Sequence, residues 1–180
     1  MSLLRRFAEC ARGGAGIEFA IIAPGMIALL FGMIEVNELI AADNRTHNIA
    51  TALADVTSRD VAITNAEMTG AFDAAGTVVF PGAADRVRMR ITAVTPTGPG
   101  QGEALWSDGR GFSPYAPGAT VTMPPQVDTP CAGPSVMFAE AEFDFKSPAG
   151  IVLGMSTYTL KQKVVMCPRV VNVVSRDRVS

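Results

Sequence analysis

The sequence predicts an α+β fold in which a long N-terminal helix packs on an antiparallel β-sheet of about four to six strands. Three observations predict it. The first third of the chain holds an uncharged run over residues 19–34 that passes into a helical apolar period. Two later stretches alternate apolar and charged residues strictly, one with a basic outer face and one with an acidic outer face. At 180 residues and 18.9 kDa the chain holds one domain with an extra element, not two full domains.

Composition narrows the function classes. Hydrophobic residues make up 48% and charged residues 18%, where about 25% charged is usual. Whole-chain disorder, which needs low hydrophobicity and high net charge, is excluded. The net charge of −2 lacks the basic footprint of a nucleic-acid partner. A single histidine, His47, removes most zinc enzymes and catalytic triads.

The apolar excess lies at the start. Residues 19–34 carry no charge, and Glu18 is the one charge between Gly13 and Ile34. A span needs roughly 20 mostly apolar residues, so this is a short membrane helix. Arg5, Arg6 and Arg12 face one acid, Glu9, which keeps the N-terminus cytoplasmic. The alternative is a cleaved secretory signal peptide, whose apolar region is about 7–15 residues. Here the run is longer, Pro24 interrupts it, and the only cleavage-like site is an imperfect one near Ala42. Pro24 should bend or locally loosen the helix, because it removes a backbone hydrogen bond. Gly16 and Ala20, and Ala28 and Gly32, repeat small residues at the spacing that lets membrane helices approach closely.

Past the lipid the period stays helical. Leu39, Thr46, Ile49, Leu53 and Val56 follow three-, four- and seven-residue steps. One helix from about 14 to 58 results, on the order of 65 Å long at 1.5 Å per residue. Thr64-Asn65-Ala66-Glu67 is a capping box for a second helix over about 65–76, with Met68, Phe72 and Ala75 on one face.

Residues 86–95 place Val87, Met89, Ile91 and Ala93 opposite Arg86, Arg88 and Arg90. Residues 138–145 place Ala139, Ala141, Phe143 and Phe145 opposite Glu140, Glu142 and Asp144. Opposite charges across strands favour pairing by about 0.2–1 kcal/mol each, so these two strands should be neighbours. Residues 158–166 form another strand, with Tyr158, Leu160, Val164 and Met166 on one face. Between residues 96 and 134 lie 15 of the 29 Gly and Pro. The expectation there is a loop-rich region with short strands at 103–106 and 120–123, anchored by Leu105, Trp106 and Val121. The end of the chain reads as a last strand followed by a frayed polar terminus.

Glu18 is a costly residue for a bilayer, at about 2.5–3.5 kcal/mol or more at its centre. It either reaches the interface, where an acid in the first turn suits the helix dipole, or it has a function. The residues around it carry a resemblance. Arg12-Gly13-Gly14-Ala15-Gly16-Ile17-Glu18-Phe19 resembles the cleavage region of type IV prepilins and pseudopilins. The stretch RGGAGIEFAIIAPGMIALLFGMIEVNELIAA resembles the TadE/TadG family of tight-adherence (Tad) pilus assembly proteins. Its marks are Glu18, Phe19, Ala20, Pro24, Gly32 and Glu35. ALWSDGRG, ATVTMP, FAEAEFDF and the late Cys-Pro-Arg resemble such proteins more loosely, and Gly16 departs from the alanine or valine usual there.

The resemblance implies a pilin-like fold and a minor pilin or pseudopilin that primes, caps or modulates a fibre, and thereby serves adhesion or secretion. It implies a prepilin peptidase cut between Gly13 and Gly14, and a Glu18 carboxylate paired with the new N-terminal amine of a neighbouring subunit. Two such charges are tolerable in lipid only when paired. The implied partners are other pilins, the peptidase, an inner-membrane assembly platform and membrane lipid. The expected divisions are a leader over 1–13, a membrane helix over 14–42 and an exported periplasmic domain over 43–180.

Cys10 falls in the leader, whereas Cys131 and Cys167 fall in the exported part. An even count in an oxidising compartment predicts one disulfide, the alternative being two free thiols. No catalytic constellation is evident and no cofactor or metal is expected. His47 reads as a polar helix residue, and Gly98-Pro99-Gly100-Gln101-Gly102 lacks the lysine and helix of a phosphate loop. Glu140, Glu142 and Asp144 could form a weak cation site or a face paired to arginines. A static membrane-anchored envelope binding protein is the rival reading, with an exported enzyme behind it.

Overall fold

The computed structural model describes residues 14–77, 86–124, 131, 133–147 and 157–178. The leader, with Gly13 and Cys10, lies outside the described residues. The chain divides into two units, Met1–Glu38 and Leu39–Ser180.

One continuous helix, α1 (Gly14–Ser58, 45 residues), carries Pro24 in its interior. No described residue before Ala42 is buried. From there Ala42, Thr46, Ile49, Ala50, Leu53, Ala54 and Thr57 form the buried stripe. The stripe departs from the predicted period at its end: Val56 is exposed, and Thr57 takes the inward place, its hydroxyl returned to the Leu53 carbonyl at 2.8 Å.

After a short strand, β1 (Ala62–Ile63), comes α2 (Asn65–Gly76). Its capping box is complete. The Glu67 amide donates to the Thr64 hydroxyl at 3.3 Å, and the Thr64 amide donates to the Glu67 carboxylate at 2.8 Å. Met68, Ala71, Phe72 and Ala75 form its buried face. The Thr64 amide, and then its hydroxyl, hold the Glu67 carboxyl below its usual 4.5. A carboxyl lowered in the folded state contributes fully above its usual value, and that contribution fades as pH falls through the lowered value. The Thr64 amide resonance should therefore titrate with a midpoint below 4.5 in an NMR pH series, and Glu67→Gln should abolish that titration.

The main sheet contains β2 (Val87–Gly98), β3 (Gln101–Arg110), β4 (Thr120–Thr122), β5 (Val136–Phe145) and β6 (Tyr158–Met166). The order is β4-β3-β2-β5-β6, with every neighbour antiparallel. The two charge-patterned strands are neighbours, as their faces predict: Arg90 sits opposite Glu140 and Arg88 opposite Glu142. A separate pair, β1 with β7 (Ser175–Arg176), is parallel.

In the region rich in Gly and Pro the short strand expected at 120–123 is present as β4, with Val121 buried, but the one expected at 103–106 is the longer β3, which forms a hairpin with β2. Its turn is Pro99-Gly100, with Gly100 at φ 66°. Proline followed by a residue of positive φ is the type II arrangement. Gly102 allows the two strands to approach: a Cβ there would lie 2.3 Å from the Val94 side chain and 2.8 Å from the Thr95 carbonyl oxygen. A bulge breaks the β2–β3 register between Ala93 and Val94, leaving Leu105 unmatched between Ala104 and Trp106. Leu105 is therefore exposed rather than an anchor, and Ala104 and Trp106 face opposite sides.

The core lies on both faces. On the inner face α1 and α2 meet Met89, Ile91, Ala93, Ala139 and Ala141. On the outer face Val94, Val121, Val136 and Phe138 form a second cluster. The C-terminal segment is tied in rather than frayed. Trp106 Nε1 donates to the Val174 carbonyl at 2.8 Å, and the Arg169 amide donates to the Ser58 carbonyl at 2.8 Å. Arg176 reaches Asp108 at 2.6 Å and Asn65 at 2.8 Å.

Candidate functional site

The apolar half of α1 is the first candidate. Its best 18-residue window has a mean hydropathy of 2.2 and none of it is buried, which makes it a candidate membrane span. Phe19, Ile21, Met26, Leu29, Phe31 and Met33 all stand open to the surroundings. Apolar side chains exposed in such a continuous band need a cover that is not water. Gly14 opens the described helix, and Glu18, Phe19, Pro24 and Gly32 lie along it, all exposed; Glu35 is half-buried. Glu18 lies one turn into the described helix, whose first four residues hold no acid. A Cβ at Gly16, Gly25 or Gly32 would meet nothing within 4 Å, so among the described residues nothing uses the small-residue spacing.

The second candidate is a charged ladder on the outer face of the sheet. Period-two patterning puts Arg88 and Arg90 of β2, Glu140 and Glu142 of β5, and Lys161 and Lys163 of β6 in adjacent rows. Arg90 Nη2 lies 2.5 Å from Glu140, and Lys163 lies 3.7 Å from the same carboxylate. Glu142 takes Arg88 and Lys161, each at 3.0 Å. Asp144 takes Arg88 at 3.1 Å. Glu140 and Glu142 are thus engaged by cations on both sides, and Asp144 by Arg88 on one side and the Thr159 hydroxyl on the other, as expected of a paired face.

A loop closes over the inner end of this ladder. Arg90 donates to the Ser113 carbonyl at 2.9 Å and to the Tyr115 hydroxyl at 2.8 Å, and its guanidinium lies 3.8 Å from the Tyr115 ring centroid. Phe112 adds a second ring at 4.9 Å. Burial, and then the Glu140 carboxylate, push the Tyr115 hydroxyl above its usual 10.0. The sequence reading expected a loop-rich region here, but neither the cover it gives Arg90 nor the lysines figured in it. The available signal was Lys161-Gln162-Lys163, which continues the alternating pattern into a third strand.

A disulfide joins Cys131 to Cys167, with Cα atoms 5.4 Å apart, and Cys131 packs against the outer cluster. A cleft of about 360 Å³ lies between α2 and β3. Its polar groups face each other: Arg176 holds Asp108 and Asn65, and Arg110 holds Asp73 at 2.7 Å. Among the described residues no group of three or more His, Cys, Asp or Glu could hold a metal ion. No family model, curated protein or solved structure matches the chain.

Proposed function

We propose that this chain is a minor pilin or pseudopilin of a Tad-type pilus, anchored in the inner membrane by α1. The supporting observation is the form of that helix. Its first half is uncovered and has the hydropathy of a span, and its second half supplies Ile49, Leu53 and Ala54 to the core of the following domain. One helix built for lipid and then for a protein core is what a pilin-like subunit requires.

In this reading the basic leader stays cytoplasmic and the domain is periplasmic. Prepilin peptidase cuts between Gly13 and Gly14, and Glu18 neutralises the N-terminal amine of a neighbouring pilin. The subunit primes, caps or modulates the fibre and performs no catalysis. N-terminal sequencing of the mature, membrane-extracted protein tests the proposal. A start at Gly14 is expected, whereas a full-length mature chain overturns it in favour of a static anchored binding protein. Glu18→Ala should abolish fibre assembly and leave membrane insertion intact, read by piliation and by fractionation. Unchanged piliation would remove the role given to Glu18.

A further inference from the structure

The main sheet ends on one side in the three-residue β4 and on the other in the nine-residue β6. Short edges are protected by their length; a long one leaves a row of unpaired N–H and C=O groups. No residue of β6 is buried, whereas eight of the ten residues of neighbouring β5 are. Among the described residues no strand pairs with the outer side of β6.

The charge pattern says what fits there. Across the outer face the rows read Arg90–Glu140–Lys163 and Arg88–Glu142–Lys161, positive, negative, positive. Four cations share the three carboxylates of Glu140, Glu142 and Asp144, so the ladder has a positive surplus. That surplus lies at the edge, where the Lys161 and Lys163 side chains are 63% and 46% exposed. A second copy pairing through the same edge would set lysines beside lysines, and like charges across strands are destabilising.

We propose that the open edge of β6 receives an extended acidic segment of a partner protein, with acids at alternate positions beside Lys161 and Lys163. The backbone of β6 supplies the hydrogen bonds, and the two lysines select the sign of the incoming strand. Thr159 and Val165, on the same face, complete the footprint. The inference stands independently of the pilus reading, since it rests on the sheet alone.

The test uses the full chain in detergent micelles and two labelled peptides, one alternating Glu with Thr and one alternating Lys with Thr. The Glu peptide should bind at least about fivefold more tightly. It should slow amide exchange in β6 selectively, and it should lose its advantage as salt is raised. Lys161→Glu/Lys163→Glu should reverse the preference. Because that change sets like charges beside Glu142 and Glu140, Lys161→Gln/Lys163→Gln is the second variant and should abolish the preference. Equal binding of both peptides, binding of neither, or protection outside residues 158–166 overturns the proposal, whatever the variants do.

Discussion

Arg90→Met should destabilise the domain by about 3 kcal/mol, because it strands a nearly buried carboxylate. The Arg90 side chain is 14% exposed and its partner Glu140 8%. Removing one member of such a pair costs about 3–5 kcal/mol, since the remaining charge keeps its desolvation penalty and loses its compensation. The lower end applies because Lys163 still lies 3.7 Å from Glu140. The Ser113 and Tyr115 contacts disappear with the same side chain, so the loop over the ladder loosens too. Arg90→Met/Glu140→Leu should recover most of the loss, because replacing both partners by apolar groups of similar volume is nearly neutral. Urea unfolding of the full chain in micelles can follow Trp106, the only tryptophan, which is buried and bonded to Val174. A double variant as unstable as the single would show that packing, not an orphaned charge, sets the cost.

Cys131→Ala/Cys167→Ala should cost about 4 kcal/mol. The bridge spans a sequence separation of 36, and closing a loop of that size removes roughly this much chain entropy from the unfolded state. The figure is comparable to a large fraction of a small domain's total stability. Dithiothreitol acting on the wild-type chain should shift the urea midpoint to that of the double variant and leave the variant unmoved. A loss below about 1 kcal/mol would mean that the unfolded chain gains little freedom from the cut.

The parts of the fold that were legible in the sequence have a local or periodic cause. The capping box of α2 is written in Thr64 and Glu67, three residues apart. The β2–β5 pairing is written in two opposite charge alternations. The missed parts depend on partners distant in the chain. Pro96 and Gly98 suggested a loop, yet both lie in β2, at an irregularity in its pairing with β3. Trp106 and Ala104 share a period-two spacing, but the bulge at Leu105 sends them to opposite faces, which no pattern of period two announces. A last strand was expected, but the two-residue β7 is too short for any period to fix its bounds, and its place is set by β1 beside it. Of the functional helix, its length, its apolar half and its Pro24 were legible.

The stitching of the C-terminal segment sets a clock on folding. The Arg169 amide meets Ser58, that of Ser175 meets Val61, and that of Asp177 meets Ile63, pairs separated by more than a hundred residues. Such non-local contacts close late and slow the search. Synthesis at about 5–20 residues per second leaves α1 and β1 waiting on the order of 5–20 s for these partners. Throughout that interval the apolar stripe of Ile49, Leu53 and Ala54 lacks its full cover, so a holding chaperone should recognise the chain most strongly before residue 169 emerges.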